Sequence, residues 1–199
     1  MKKIIKDSAI LFVITLIAGL LLGVVYKITK EPIAEQKDKQ KLEAYNKVFD
    51  KMNSYELVED LDNAQKSVEN MGSVIVNEVV KAYDSSKKEL GYIITVTDNG
   101  GYGGDIRMTV GIDTDGRITG LEILEINETA GLGMKAKEED FRKQFVGIKA
   151  ESITYSKTGK SADNEIDAIS AATITTKAVT RGVNGALEVY RVMGGAGNE

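Results

Sequence analysis

The stretch Val74–Ile126, VIVNEVVKAYDSSKKELGYIITVTDNGGYGGDIRMTVGIDTDGRITGLEILEI, decides the fold. Val74–Tyr83, Leu90–Thr97, Ile106–Ile112 and Ile118–Ile126 are β-branched runs separated by turn chemistry, which predicts four successive strands. Asp115-Gly116 is a hairpin signal. Asp113-Thr114-Asp115-Gly116 has the opening spacing of a calcium loop, but Leu124 stands at the twelfth position, where the carboxylate belongs. It is therefore assigned to a turn, and no metal site is expected. Beyond the strands, Lys137–Phe145 predicts a short helix, Ile148–Tyr155 an extended segment and Ile174–Met193 a closing helix. Ala178, Val179, Val183, Ala186, Leu187 and Tyr190 form the apolar face of that helix. Strands in a run with helices in separate blocks predict an α+β domain with a largely antiparallel sheet and flanking helices.

Before this domain, Ser8–Tyr26 (SAILFVITLIAGLLLGVVY) is an uncharged, mostly apolar run long enough to cross a bilayer as one helix. Lys2, Lys3 and Lys6 precede it, as the positive-inside rule expects of a cytoplasmic N-terminus. Lys27, Lys30 and Lys37 follow, but long domains translocate largely regardless of charge. The apolar run is too long for a signal peptide and lacks a small-x-small cleavage site, and there is no Cys to lipidate. The expected layout is a cytoplasmic segment over 1–7, a retained transmembrane anchor over 8–28, a stalk helix and linker over 29–73, and a domain outside the cytoplasm over 74–199. In the stalk, Glu31-Pro32-Ile33 suits a first helical turn. Leu42, Tyr45, Val48, Phe49 and Met52 recur at helical spacing. Residues 53–72 are polar and irregular.

Composition narrows the chemistry. The chain has no Cys, no His and no Trp. Catalytic triads built on His, thiol nucleophiles, iron–sulfur ligation and the usual zinc and haem sites are excluded. Any redox chemistry must come from a cofactor that the chain positions and tunes. A net charge of -4 with no basic patch argues against nucleic acid.

Two strings remain. In Asp167-Ala168-Ile169-Ser170-Ala171-Ala172-Thr173 the hydroxyl of Thr173 is expected at or near the start of the closing helix. Free N–H groups and the helix dipole favour a phosphate there. The same residues also suit an ordinary Ser/Thr cap, and Thr175 and Thr176 are near enough to compete for either role. In Asn127-Glu128-Thr129-Ala130-Gly131-Leu132-Gly133-Met134-Lys135, Gly-Leu-Gly suits a tight turn whose backbone closely approaches a flat ligand. No nicotinamide fingerprint is present, because Gly100–Gly104 does not open a helix within a βαβ unit.

Together these strings resemble the FMN-binding domain family, and within it the G subunits of Rnf ion-translocating electron-transport complexes. The C subunits of sodium-pumping NADH:quinone reductases are the related group. The family's acceptor pattern is an acidic residue, two variable positions, Ser or Thr, Gly, Ala and a flavin-bearing Thr. Asp167, Ser170, Ala172 and Thr173 match it, with Ala171 in the usual Gly place. Glu128-Thr129-Ala130-Gly131-Leu132-Gly133 resembles the family's Glu-Thr-Pro-Gly-Leu-Gly loop, with Ala130 for Pro. Phe141, Gln144–Gly147 and Gly100–Gly104 extend the likeness, which covers roughly residues 74 to 190.

The resemblance implies FMN bound covalently to Thr173 as a phosphoester. A flavin transferase would attach it after export, taking it from FAD with release of AMP and recognising Asp167 and Ser170. The resemblance also implies a loop Glu128–Gly133 packed on the flavin, with Tyr102, Thr129, Leu132 and Lys135 nearest the ring. The chain would be an electron carrier, not catalytic alone. Its partners would be the other subunits of a membrane complex that moves electrons between ferredoxin and NAD, coupled to Na+ or H+ translocation. The alternatives are a quinone-reductase C-type subunit, another anchored FMN carrier, and a membrane-tethered binding module without redox function.

Overall fold

A computed structural model describes residues 2–195 in two units, one up to Leu42 and one from Glu43 onward. The first unit is helical. It is most of α1 (Lys2–Val48), and α1 is the one helix among the described residues long and apolar enough to cross a membrane. Glu31-Pro32-Ile33 does not open a separate helix, because α1 runs through Pro32. Proline forfeits its own bond to the carbonyl four residues back. The flanking Lys, Glu, Ala and Gln are strong helix formers that carry the helix past it.

The second unit is a five-stranded antiparallel meander in chain order: β1 (Ser54–Leu57), β2 (Val74–Tyr83), β3 (Glu89–Gly101), β4 (Gly104–Asp113) and β5 (Ile118–Ile126). The α+β class and the antiparallel sheet agree with the sequence reading. Residues 53–72 are more ordered than their polar composition suggests. They contain β1, which adds an edge to the sheet through pairs such as Leu57↔Val80, and α2 (Leu61–Ser67). Two of the hairpins turn on an aspartate. Asp84 Oδ1 accepts from the Ser86 and Lys88 N–H groups, and Asp113 Oδ1 from those of Asp115 and Arg117. The Asp113 carboxylate is thus occupied by its own turn, and among the described residues no acidic cluster could hold a metal ion.

One face of the sheet packs on α4 (Thr173–Tyr190), whose Ala178, Val179, Val183 and Ala186 bury against Val96, Met108 and Val110. The other face carries a smaller core of Tyr45, Val48 and Phe49 on Val80, Ala82 and Ile93. The amphipathic stretch around Tyr45 is therefore the end of α1, and it stops at Val48 before reaching Met52. Burial raises the Tyr45 hydroxyl pKa above its ordinary value, with the nearby Glu78 carboxylate adding to the effect.

Two local expectations fail. Lys137–Phe145 is not one helix, because Glu138 takes an extended ψ of 142° between a 3-10 turn (Gly133–Lys137) and α3 (Glu139–Arg142). A second 3-10 turn (Lys143–Phe145) follows. This broken path buries Phe141 and Phe145 together, edge to face at 5.6 Å. Ile148–Tyr155 is mostly irregular. Only β6 (Thr154–Ser156) is strand, paired in parallel with β7 (Glu165–Asp167). β7 delivers the chain to the start of α4.

That start is strained. Ala171 adopts a left-handed φ of 62°, which costs an L-residue with a side chain on the order of 1–2 kcal/mol. The position suits glycine, which is the residue the family pattern has there. Ala171→Gly should therefore keep or raise stability, by up to about 1 kcal/mol after the extra chain entropy of glycine is subtracted. Urea unfolding of the two full-length chains measures this, and a loss of stability would show that the strain is absent.

Candidate functional site

The glycine cluster is the tip of the β3–β4 hairpin. Gly101 pairs with Gly104, leaving Tyr102 and Gly103 in the turn. A side chain at Gly103 would run into the Asn127 carbonyl, so only glycine lets the tip lie against the chain leaving β5. That approach brings the Tyr102 N–H to Glu128 Oε1 at 2.8 Å. The loop after Glu128 then folds back over the start of α4. A Cβ at Gly133 would lie 2.6 Å from both Glu128 Oε2 and Thr175 Oγ1, so the loop touches the helix through a bare backbone. Gly133→Ala should push the loop off the helix and cost about 1–3 kcal/mol. A lowered melting temperature of the full-length chain checks this, and an unchanged one would contradict the close approach.

Between hairpin tip, loop and helix lies a cavity of about 580 Å³, within the size range of cofactor sites. Tyr102, Glu128, Thr129, Leu132, Gly133, Ala171, Ala172 and Thr173 line it, so eight residues singled out in the sequence are brought together. Four others do not line it. Gly131 and Lys135 are exposed on the loop, and Ser170 is exposed before the helix. Asp167 lies on β7, where its N–H donates to Gln144 Oε1 at 2.7 Å and its Oδ1 accepts from the Lys160 N–H. Ile174 and Thr175 line the cavity as well, although the sequence reading placed neither of them there.

Thr173 is the first residue of α4 and Ala172 its cap, and no side chain caps the helix. The ordinary Ser/Thr cap is therefore not what these residues form. The first intrahelical donor is the Thr176 N–H, which reaches the Ala172 carbonyl at 3.0 Å. The N–H groups of Thr173, Ile174 and Thr175 thus lack helical acceptors, at the positive end of an 18-residue helix with no acidic residue in its first turn. This arrangement can hold a phosphate. The three threonines differ sharply. Thr176 is buried, and its hydroxyl accepts from the Ile169 N–H and donates to the Ala172 carbonyl. Thr175 is 1% exposed. Thr173 is half-buried and lines the cavity. Tyr102, Leu132 and Ile174 leave an exposed apolar rim around the opening.

Farther along α4, Arg181 anchors the helix to the base of the hairpin tip. Its Nε and Nη2 each donate to Asp98 at 2.6 Å. Asp98 is fully buried and also accepts from the Gly100 N–H and the Ser73 hydroxyl. The carboxylate raises the Arg181 pKa further above its ordinary value. These two residues are 83 positions apart, and no local pattern marked them.

Residues 101–188 match the FMN-binding domain family, and residues 1–48 match the RnfG N-terminal region. The chain is similar to the G subunit of the Na(+)-translocating ferredoxin:NAD(+) oxidoreductase complex of Acetobacterium woodii, with 35% identity over 96% of this chain and 93% of the relative. It is equally similar, at 35% identity over 92% of this chain and 93% of the relative, to the G subunit of the proton-translocating ferredoxin:NAD(+) oxidoreductase complex of Clostridium ljungdahlii. Among solved structures, the C subunit of the Na(+)-translocating NADH-quinone reductase of Parabacteroides distasonis shares the fold. Its TM-score is 0.59 and its identity 20%, covering 83% of this chain and 94% of that one. Shewanella oneidensis NqrC does so at a TM-score of 0.56 and 18% identity, covering 78% and 94%.

Proposed function

The chain belongs to the family of G subunits of the ion-translocating oxidoreductase (Rnf) complexes, and from that premise we propose that it relays electrons through FMN held covalently on Thr173. The complex it serves transfers electrons between ferredoxin and NAD+ and couples this to cation movement. The observation that carries the reading is the meeting, in one cavity, of the half-buried Thr173 and the uncapped start of α4.

The residues present fit the cofactor. An uncapped helix start takes an anionic phosphodiester, and a cavity walled by Leu132, Ala171, Ala172 and Gly133 suits a flat, largely apolar ring system. When bound, FMN supplies the acceptance and release of one or two electrons. The chain's own residues do the holding. The Thr173 oxygen would bond the phosphate, the N–H groups of Ile174 and Thr175 would face its oxygens, and Glu128 would fix the Tyr102 wall. In attachment, Thr173 Oγ would be joined to the FMN phosphorus in place of AMP, the leaving group of FAD, and a flavin transferase would perform that step and take up the hydroxyl proton. Asp167, held in place by Gln144, and the exposed Ser170 are where the transferase would read the sequence. Lys135, outside the cavity lining, would act on the flavin only through long-range charge.

Helix α1 would anchor the chain through its 8–28 segment with everything after Lys27 outside the cytoplasm, which suits a tethered cofactor. A cofactor held only by contacts is lost when it dissociates into a dilute compartment, whereas a covalent link keeps a high effective concentration at the site. Protease added to cells stripped of outer layers should digest the large domain. Protection of that domain would place it in the cytoplasm and overturn the topology. The flavin itself is tested by fluorescence on a denaturing gel after coexpression with a flavin transferase. A fluorescent band is expected for the wild-type chain and none for Thr173→Ala. A colourless wild-type chain would favour a tethered binding module without redox function. The quinone-reductase alternative is supported only by likeness of fold.

A further inference from the structure

We propose that Thr175 is a positioning residue for the cofactor, its hydroxyl donating a hydrogen bond to the phosphate group held at the start of α4. The proposal rests on the reading of Thr173 as the flavin-bearing residue and adds what seats the flavin once it is attached.

The buried threonines of α4 supply the contrast. Thr176 and Thr180 each donate to the carbonyl four residues back, at 3.0 and 2.9 Å, the usual way a buried helical hydroxyl is satisfied. Thr175 is just as buried, lines the cavity, and makes no side-chain hydrogen bond among the described residues. The backbone explains why. The residue four back, Ala171, stands outside the helix with its left-handed φ of 62°, so its carbonyl does not offer the helical acceptor. The carbonyl three back, on Ala172, already accepts from both the N–H and the hydroxyl of Thr176. Neither of these helical carbonyls is open to Thr175, and Gly133 brings no side chain to cover it. Unlike the enclosed and unpartnered Thr119 hydroxyl, that of Thr175 is not sealed off, so it opens onto the cavity it lines. A phosphate at the helix start supplies the missing acceptor beside the free N–H groups, and a charged acceptor makes the bond strong.

The neighbouring Glu128 carboxylate offers the competing role. Its Oε2 lies as close to the Cβ direction of Gly133 as the Thr175 hydroxyl does. If the hydroxyl served only to latch the loop through Glu128, its loss would weaken the unmodified protein. If it serves the phosphate, its loss would leave the unmodified protein unweakened and loosen the flavin.

The test compares full-length wild type, Thr175→Val and Thr175→Ser in detergent, each made with and without a coexpressed flavin transferase. Without transferase, Thr175→Val is expected to melt at the same or a higher temperature than wild type. With transferase, its covalent flavin should lose most of the visible circular dichroism and fluorescence anisotropy of the seated wild-type cofactor. The seated fraction should fall roughly tenfold or more, as befits a lost hydrogen bond to a charged group. Thr175→Ser, which keeps the donor, should retain both signals. A lower melting temperature for unmodified Thr175→Val with unchanged flavin signals would overturn the proposal in favour of a structural latch. Absence of covalent flavin on the wild-type chain itself would instead remove the reading of Thr173, and this proposal with it.

Discussion

Thr173→Val is expected to remove all covalent flavin from the chain and most ferredoxin-to-NAD+ electron transfer, with the linked ion movement, from membrane vesicles that carry the complex. The substitution keeps the β-branched shape and deletes one half-buried hydroxyl that caps nothing. The fold and the assembled complex should therefore survive, and the lost activity would reflect a missing relay, not a missing subunit. Neighbouring hydroxyls cannot take over, since Thr176 is committed to Ile169 and Ala172 and Thr175 is buried. Full activity in the variant would rule out an obligatory relay through this residue. Loss of NADH-driven quinone reduction in its place would move the chain to the quinone-reductase group. An assembled complex with no redox change would favour the binding module.

The second large effect is on stability. Arg181→Met should destabilise the full-length chain by about 3 kcal/mol, because it leaves the Asp98 carboxylate buried without its cation. The cost belongs at the lower end for such pairs, since the Arg181 side chain is 26% exposed and water can partly replace the guanidinium. Replacing both partners by apolar residues, Asp98→Leu with Arg181→Met, should recover part of the loss, because no charge is then stranded. Urea unfolding of wild type, single and double variants measures both effects. A double variant less stable than Arg181→Met alone would show that the pair is worth more than the burial it demands.

Much of the domain was legible because its signals are local. The four long strands announce themselves by β-branched runs, the Asp113 turn by Asp-Gly, and α4 by the spacing of Ala178, Val179, Val183 and Ala186. The elements that escaped lack such signals. All four residues of β1 are exposed, so no alternation of burial marks it, and only its pairing to β2 makes it a strand. β6 and β7 are three residues each and exist through each other. The break at Glu138 serves the joint burial of Phe141 and Phe145, a tertiary demand that overrides a helical pattern.

The site divides the same way. Thr173, Glu128 and Gly133 were readable from two short strings. The Asp98–Arg181 pair, the cavity-lining Thr175 hydroxyl and the left-handed Ala171 arise only when distant backbone segments meet. Ala171 alone left a trace in the sequence, as an alanine in a glycine's place.

Peptide mass spectrometry of the chain after maturation by a flavin transferase reads the attachment site itself. The peptide containing Asp167–Thr173 should carry the mass of FMN joined with loss of water, and fragmentation should place it on Thr173. Flavin mapped to Thr175, Thr176 or another peptide, or an unmodified Thr173 peptide in a chain that nonetheless relays electrons, would rule out Thr173 as the flavin-bearing residue.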